Sequence, residues 1–343
     1  MMPVVSICVP NLNTFPFLPE RFATIFEQTY RNWELLVYDS FSTDGAWEYI
    51  GKVAAGEPRM RAWQGPREGT PGSWSPCVRE AMGKYVYIAT SDDTMPPDCL
   101  EKLVAVLESH PECDVAHCRL REIDEHGRDT ENWWSTRSTF ARSSGEFLER
   151  PHVRKAPFDG LLHLLGWSVY ISITQLLIRR SLFDRIGLFE SKWGAVGDFN
   201  WNMRAGLVAN TVHVPDTWGG WRIHSNQATS AAALLSPEHA TKTRSMIDDA
   251  MNFFENGINP RWRGPLAQAK DFCMFNADRE ACRTSIERRA LIVRRLLSGS
   301  AAARAYVKAK LCGTSMAPWR ESGPELMRFW LEDAEFEPVL VAV

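Results

Sequence analysis

Tyr85-Val-Tyr-Ile-Ala-Thr-Ser-Asp-Asp-Thr-Met-Pro-Pro-Asp98 runs from a short aromatic and β-branched segment straight into two adjacent carboxylates, Asp92 and Asp93. Tyr85 to Thr90 reads as a buried strand. A helix is predicted to open at Asp98 after Pro96-Pro97, with Glu101 completing a capping box. Adjacent acids repel one another unless a cation or solvent relieves them. In open α/β sheets the carboxyl ends of strands are where ligands sit. The stretch therefore reads either as a divalent-cation and phosphate site or as two exposed loop acids. The tripeptide alone does not choose.

The chain before it repeats one rhythm. Val4 to Pro10 reads as a first strand, followed by the polar turn Asn11-Leu-Asn-Thr14. Phe17, Phe22, Ile25 and Phe26 recur near helical spacing and predict a helix over Pro19 to Gln28. Trp33 to Tyr38 is a second strand ending at Asp39, and a helix follows over Ala46 to Ala55. Met60 to Gln64 is a short third strand. Ser73 to Met82 reads as a helix closed by Gly83. Strands alternating with helices predict a doubly wound, mostly parallel α/β sheet flanked by helices. Its strand ends carry Asn11, Asp39 and the Asp92-Asp93 pair at one rim, as a nucleotide pocket requires.

Beyond His110-Pro111 the pattern loosens. Asp114 to Ile123 and Ser172 to Ile178 read as strands, and Glu131 to Leu165 as an irregular insertion. Ser181 to Ile186 is a short helix with Gly187 as its C-cap, and Gly197 to Gly206 a longer one with Asp198 in its first turn. Thr211 to Val214 reads as a strand, and Trp218 to Ser230 as a polar loop holding Arg222, His224 and Gln227. Residues 1–230 form one expected unit and 231–343 a helical extension. Within that extension, Arg283 to Lys310 carries eight basic residues against the single acid Glu287. Leu291, Ile292, Leu296 and Leu297 give it an apolar side. Such a segment is either a solvated helix face or a peripheral contact with an anionic membrane.

Composition narrows the classes. The 343 residues carry a formal net charge of −3, which gives no reason to expect a nucleic-acid partner. The N-terminal apolar run is too short for a signal peptide, and none reaches the roughly 20 residues that span a bilayer. A cytoplasmic location is the expectation. The eight cysteines lack C-x-x-C spacing, so free thiols are expected. Cys113, His117 and Cys118 lie close together, but on a strand, which disfavours a zinc site.

Several motifs in order resemble the family 2 glycosyltransferases, which have a GT-A fold. The resemblance covers about Pro3 to Ser230. It rests on Val5-Ser-Ile-Cys-Val-Pro-Asn-Leu-Asn13, on Gln28-Thr-Tyr-Arg-Asn-Trp-Glu-Leu-Leu-Val-Tyr-Asp39 and on Ser40-Phe-Ser-Thr-Asp-Gly45. In the last of these, Ser40 and Phe41 replace the family's acid and glycine. Gly83-Lys-Tyr-Val with Ser91-Asp-Asp93 resembles its metal motif, with Thr90 at the leading acid position. Gly197-Asp-Phe-Asn-Trp-Asn-Met-Arg204 resembles its E-D helix with Gly for Glu, and Arg222-Ile-His224 its R-x-H.

The resemblance implies an inverting, metal-dependent transfer of a sugar from a nucleoside-diphosphate sugar to a hydroxyl acceptor. The acceptor would be a glycan or lipid-linked molecule in surface polysaccharide, lipopolysaccharide or glycolipid assembly. It implies Asp198 as the catalytic base, with Asp93, Asp92 and His224 around Mn²⁺ or Mg²⁺. It implies Pro10, Asn11, Asn13, Asp39, Trp74, Asp92 and Arg222 toward the nucleotide sugar. Plainer roles stand beside these. Asp198 could cap its helix, Asp39 its turn, and Arg222 with His224 could be a surface pair. Trp74 could be a buried staple, and Arg204 an ion-pair anchor. The competing function is a catalytically idle sugar-nucleotide or glycan-binding relative. A nucleotidyltransferase is disfavoured, because Asn11 to Phe15 is not a Gly-rich, basic phosphate loop.

Overall fold

Val5–Asn11 forms β1, and every one of its residues is buried. In this computed structural model the residues described are 2–69, 71–131, 134, 148–164, 169–225, 227, 237–254, 259–312 and 340–342. Strand β1 pairs in parallel with β2 (Trp33–Asp39) on one side and β4 (Tyr85–Ile88) on the other. Strand β3 (Met60–Gln64) extends the sheet beyond β2. Helices α1 (Leu18–Phe26), α2 (Ala46–Gly56), α3 (Ser75–Glu80) and α4 (Cys99–Ser109) connect or follow these strands. Successive side chains of a strand leave opposite faces of the sheet, and here both faces are covered. Val5, Ile7 and Val9 pack with Phe22 and Ile25 of α1. Cys8 packs on the other face with Cys77 and Val78 of α3.

The remaining strands are β5 (Val115–Ile123), β6 (His152–Arg154), β7 (Leu176–Arg179), β8 (Thr211–Arg222) and β9 (Leu340–Ala342). Among the described residues the sheet has nine strands in the order β3-β2-β1-β4-β7-β5-β8-β6-β9. Strands β6 and β7 run against the others, so the sheet is mostly parallel. Helices α5 (Phe158–Leu164), α6 (Ser181–Ile186) and α7 (Gly197–Val208) follow in the second half. Helix α7 lies directly on α5, because a Cβ at Gly206 would come within 2.5 Å of the Gly160 nitrogen. Glycine permits that approach.

Helices α8 (Pro237–Phe254), α9 (Pro260–Ala281), α10 (Ser285–Leu297) and α11 (Ala301–Leu311) follow. Met246 and Ile247 of α8 and Leu266 of α9 share one apolar cluster with Ile178 and Trp201. Asn200 of α7 donates to Met246 O at 3.0 Å. These helices therefore pack on the sheet domain, and β9 adds a strand to its edge.

Several local readings differ from the sequence expectation. Helix α3 ends at Glu80, and Gly83 is not its cap. The Gly83 N–H instead donates to Ser6 Oγ at 2.9 Å. The capping box at Asp98 does not form. Asp98 pairs with Lys102 at 2.9 Å, and Glu101 accepts from the Thr29 hydroxyl at 2.6 Å. Among the described residues the buried Arg204 makes no ion pair; it donates to the carbonyls of Ile186 and Leu188 at 2.5 and 2.9 Å. Ser172 to Gln175 is a capped 3₁₀ turn, so the strand begins only at Leu176 and runs one residue past the expected end, to Arg179. Part of the expected insertion lies outside the described residues, and β6 and α5 emerge within the described part. All eight cysteines are free.

Candidate active site

The carboxyl ends of β1, β2 and β4 meet at one rim. Asn11 and Asp39 are register partners there. Asn11 Nδ2 donates to Asp39 Oδ2 at 2.7 Å, Gln64 Nε2 to Oδ1 at 2.8 Å, and the Ser42 N–H to Oδ1 at 3.0 Å. Burial pushes the Asp39 carboxyl up, but bonds from Gln64, Ser42 and Asn11 outweigh it and hold the group below its usual value. Asp39 is 0% exposed and its acceptor positions are taken within the protein. Asn13 straps the same turn: its backbone N–H reaches Ser42 Oγ at 2.9 Å and its Oδ1 accepts from Thr43 N at 2.8 Å.

A cleft of about 350 Å³ opens beside this turn. Its walls bring together Pro10, Asn11, Trp74, Asp92, Asp93, Asp198 and His224. Asp92 and Asp93 come from the turn after β4, Asp198 from the first turn of α7, and His224 from just beyond β8. Trp74 meets Phe189 edge to face at 5.0 Å, so it is both a buried staple and a cleft wall.

Asn13, Asp39 and Arg222 do not line the cleft, which differs from the direct donor contact expected of them. The reason for Arg222 is that β8 runs on through Trp218-Gly-Gly-Trp221, where a polar loop was expected. A register shift opposite Cys118 and Arg119 lets β8 keep pairing with β5. The buried Arg222 side chain then points into the protein. Its Nε donates to Asp92 O at 2.7 Å, its Nη1 to Asp124 O at 3.0 Å, and its Nη2 to Glu20 Oε2 at 2.6 Å. Its backbone N–H donates to Asp93 Oδ1 at 2.9 Å. Arg222 therefore positions the acid pair.

The carboxylates differ in setting. Asp93 is 3% exposed, and its second oxygen accepts from the Thr90 hydroxyl. Burial, and then the charge of Asp92, push its pKa up to about 7. Asp92 is half-buried, and its Oδ2 lies 3.1 Å from His224 Nε2. The His224 ring also packs against Phe17 in a tilted arrangement, ring centroids 4.7 Å apart. Asp198 Oδ1 accepts from the Phe199 N–H at 2.9 Å, and burial raises its pKa to about 6.

Among the described residues, no group of three or more His, Cys, Asp or Glu side chains stands ready to hold a metal ion. The two carboxylates nevertheless suit a hard divalent cation, which favours carboxylate oxygen and water. Asp92 and His224 face one another at the cleft wall, and burial with the charge of Asp92 raises the Asp93 pKa, a cost that a bound cation would relieve. Ser91 and Gln227 also line the cleft, as do Arg67, Ser172 and Trp221, which were not singled out by the sequence. The Ser172-x-x-Gln175 capping pattern was a readable signal, and Arg67 follows the end of β3 as the other rim residues follow theirs. Thr14 joins the two turns by a 2.9 Å bond to Ser91 Oγ.

Comparison with known proteins adds the family. Residues 6–187 match the sequence model of "Glycosyl transferase family 2". The putative glycosyltransferase EpsE of Bacillus subtilis is 33% identical over 127 residues, 36% of this chain and 46% of that protein. The matched stretch spans 14% and 46% of the length of the first two curated relatives. Among solved structures, S. aureus TarS 1-349 in complex with UDP superposes with a TM-score of 0.56 at 16% identity, covering 91% of this chain and 93% of that one. A mannosyltransferase from Pyrobaculum calidifontis, in complex with GDP-Man and Mn2+, gives a TM-score of 0.56 at 18% identity, covering 96% and 85%. At these identities the likeness is one of fold. The family match ends before Asp198 and His224, which the tertiary structure brings to the cleft.

Proposed function

The chain belongs to glycosyl transferase family 2, and from that premise we propose that it transfers a sugar, with inversion, from a nucleoside-diphosphate sugar to a hydroxyl acceptor. The observation that carries this reading is the convergence of the Asp92-Asp93 pair and Asp198 on one cleft from two separate parts of the chain.

The chemistry follows from the placement. Asp198 takes the proton of the acceptor hydroxyl while that oxygen forms its bond to the anomeric carbon. The bond from that carbon to the diphosphate breaks, and the nucleoside diphosphate leaves with the electron pair. A single base and no covalent intermediate give one displacement and inverted configuration. Mn²⁺ or Mg²⁺, when bound by Asp92, Asp93 and His224, would neutralise charge on the leaving diphosphate. Pro10, Asn11 and Trp74 shape the donor side. Asn13, Asp39 and Arg222 keep the turns that carry those residues in place. The acceptor we propose is a glycan or lipid-linked hydroxyl of a surface polysaccharide, lipopolysaccharide or glycolipid.

The test is release of nucleoside diphosphate from UDP-, GDP- and dTDP-sugars with Mn²⁺. Release by the wild-type chain, abolished in Asp198→Asn, supports the enzyme. Donor binding without any release would replace it with a sugar-nucleotide-binding module.

A further inference from the structure

Helix α10 turns its longest apolar stripe away from the protein. Ile286, Val293 and Leu297 are 77%, 56% and 85% exposed. Spaced seven and four residues apart, they share one helix face, and exposed Ala290 lies between them. The opposite face holds the helix in place. Leu291 is buried, Ile292 packs against the cluster of Phe272, Phe275 and Tyr306, and Arg295 bonds Asp278 at 2.6 Å. Of the apolar side expected from the sequence, Leu291 and Ile292 are therefore already used, while Leu297 lies with Ile286 and Val293 on a second, exposed face. Thr284 and Glu287 form a capping box, so the helix start is fixed without a partner.

Charge decides what would cover that stripe. Arg289 and Arg294 stand about 60° and 80° to either side of Ile286 at 3.6 residues per turn. Arg283 and Arg288 are exposed as well. Among the described residues these four arginines make no ion pair with an acidic side chain. An apolar stripe edged by unpaired arginines fits a surface that is apolar inside and anionic at its boundary. Nucleic acid would leave the stripe in water. A second copy of this chain would set arginine rows against arginine rows.

We propose that this face of α10 rests on a membrane surface containing anionic lipid, with Ile286, Val293 and Leu297 in the acyl boundary and Arg289 and Arg294 at the phosphates. The proposal uses no residue of the catalytic cleft. It fits a chain in which no described helix is long and apolar enough to cross a membrane.

The experiment is cosedimentation of the full chain with vesicles of phosphatidylcholine alone and of equal parts phosphatidylcholine and phosphatidylglycerol. Binding to the mixed vesicles alone is expected, weakening with salt. The double variants Val293→Asp with Leu297→Asp, and Arg289→Glu with Arg294→Glu, should each weaken it at least about tenfold. These side chains are exposed, so circular dichroism and the melting curve should stay as in the wild type. Equal binding to both vesicle types, no binding, or binding untouched by the variants overturns the proposal. So does an oligomer in light scattering that the Val293→Asp, Leu297→Asp variant dissolves while vesicles bind nothing. Nucleoside diphosphate release, measured in parallel without lipid, should be unchanged in both variants.

Discussion

The backbone N–H of Arg222 donates to Oδ1 of Asp93 at 2.9 Å, although 129 positions separate the two residues in the chain. The end of β8 thus holds the turn after β4. The guanidinium adds to this hold by gripping Asp92 O, Asp124 O and Glu20. Arg222→Ala would leave buried carbonyls without donors. We expect it to lose about 3 kcal/mol of stability in urea unfolding. Donor binding should weaken with it, although the residue does not line the cleft.

Asp198→Asn should remove the proposed base and keep the fold. Nucleoside diphosphate release would fall on the order of a thousandfold, within the usual span for a general base. The KM for donor should change little, which distinguishes lost proton transfer from lost binding.

The pH dependence has a definite sign. Asp198 has its pKa raised to about 6 by burial, so the folded chain favours the protonated acid. Its contribution to stability is full below the ordinary carboxyl value and is lost as pH rises through about 6. Activity goes the other way, because only the carboxylate accepts a proton. The acid limb of the rate profile should fall near pH 6, while Asp198→Asn removes that limb and its own share of the stability change, leaving the share that comes from Asp93, whose pKa is raised to about 7.

Metal should act through the acids and His224. Titrating Mn²⁺ with a nucleoside diphosphate should raise the melting temperature, by the equivalent of about 2.7 kcal/mol at a ligand concentration 100 times its Kd. EDTA should reverse the rise. Asp92→Asn and His224→Ala should each lose most of it while melting normally without metal. An equal rise in all three proteins would remove these residues from the cation's ligands.

Phe41 occupies the position where the family has glycine, and it adopts a φ of +57° with 58% of its surface exposed. A bulky residue in the left-handed region is strained, and its exposed ring recovers little of that by packing. Phe41→Gly should stabilise the chain by about 1 kcal/mol in thermal unfolding.

Gly72→Ala should do the reverse. A Cβ there would meet Ser191 Cβ at 2.7 Å, where the loop before α3 abuts the segment leading to Asp198. A loss of about 1–3 kcal/mol is expected from such overpacking.

Strands β1 to β4 and their rim of polar residues were legible in the sequence. Mainly apolar runs, broken only by Ser6 and Glu34 in β1 and β2 and ending in Asn, Asp and Asp-Asp, have few other structural solutions. The far half was less so. Trp218-Gly-Gly-Trp221 has loop composition, yet pairing with β5 and the Thr94–Gly220 bridge make it strand. Tertiary hydrogen bonds overrode local preference there.

The amino-acid order by itself determined the family, the parallel sheet and which acids end its strands, because these depend on local pattern and short-range spacing. Tertiary structure decided which of the marked residues face the cleft. Asp39 and Arg222 spend their polar atoms inside the protein, while Asp92, Asp198 and His224 keep theirs at its wall. It also decided which side of α10 is left in water. Burial and partner choice arise from chain segments more than a hundred residues apart, and no local window of sequence records where those segments meet.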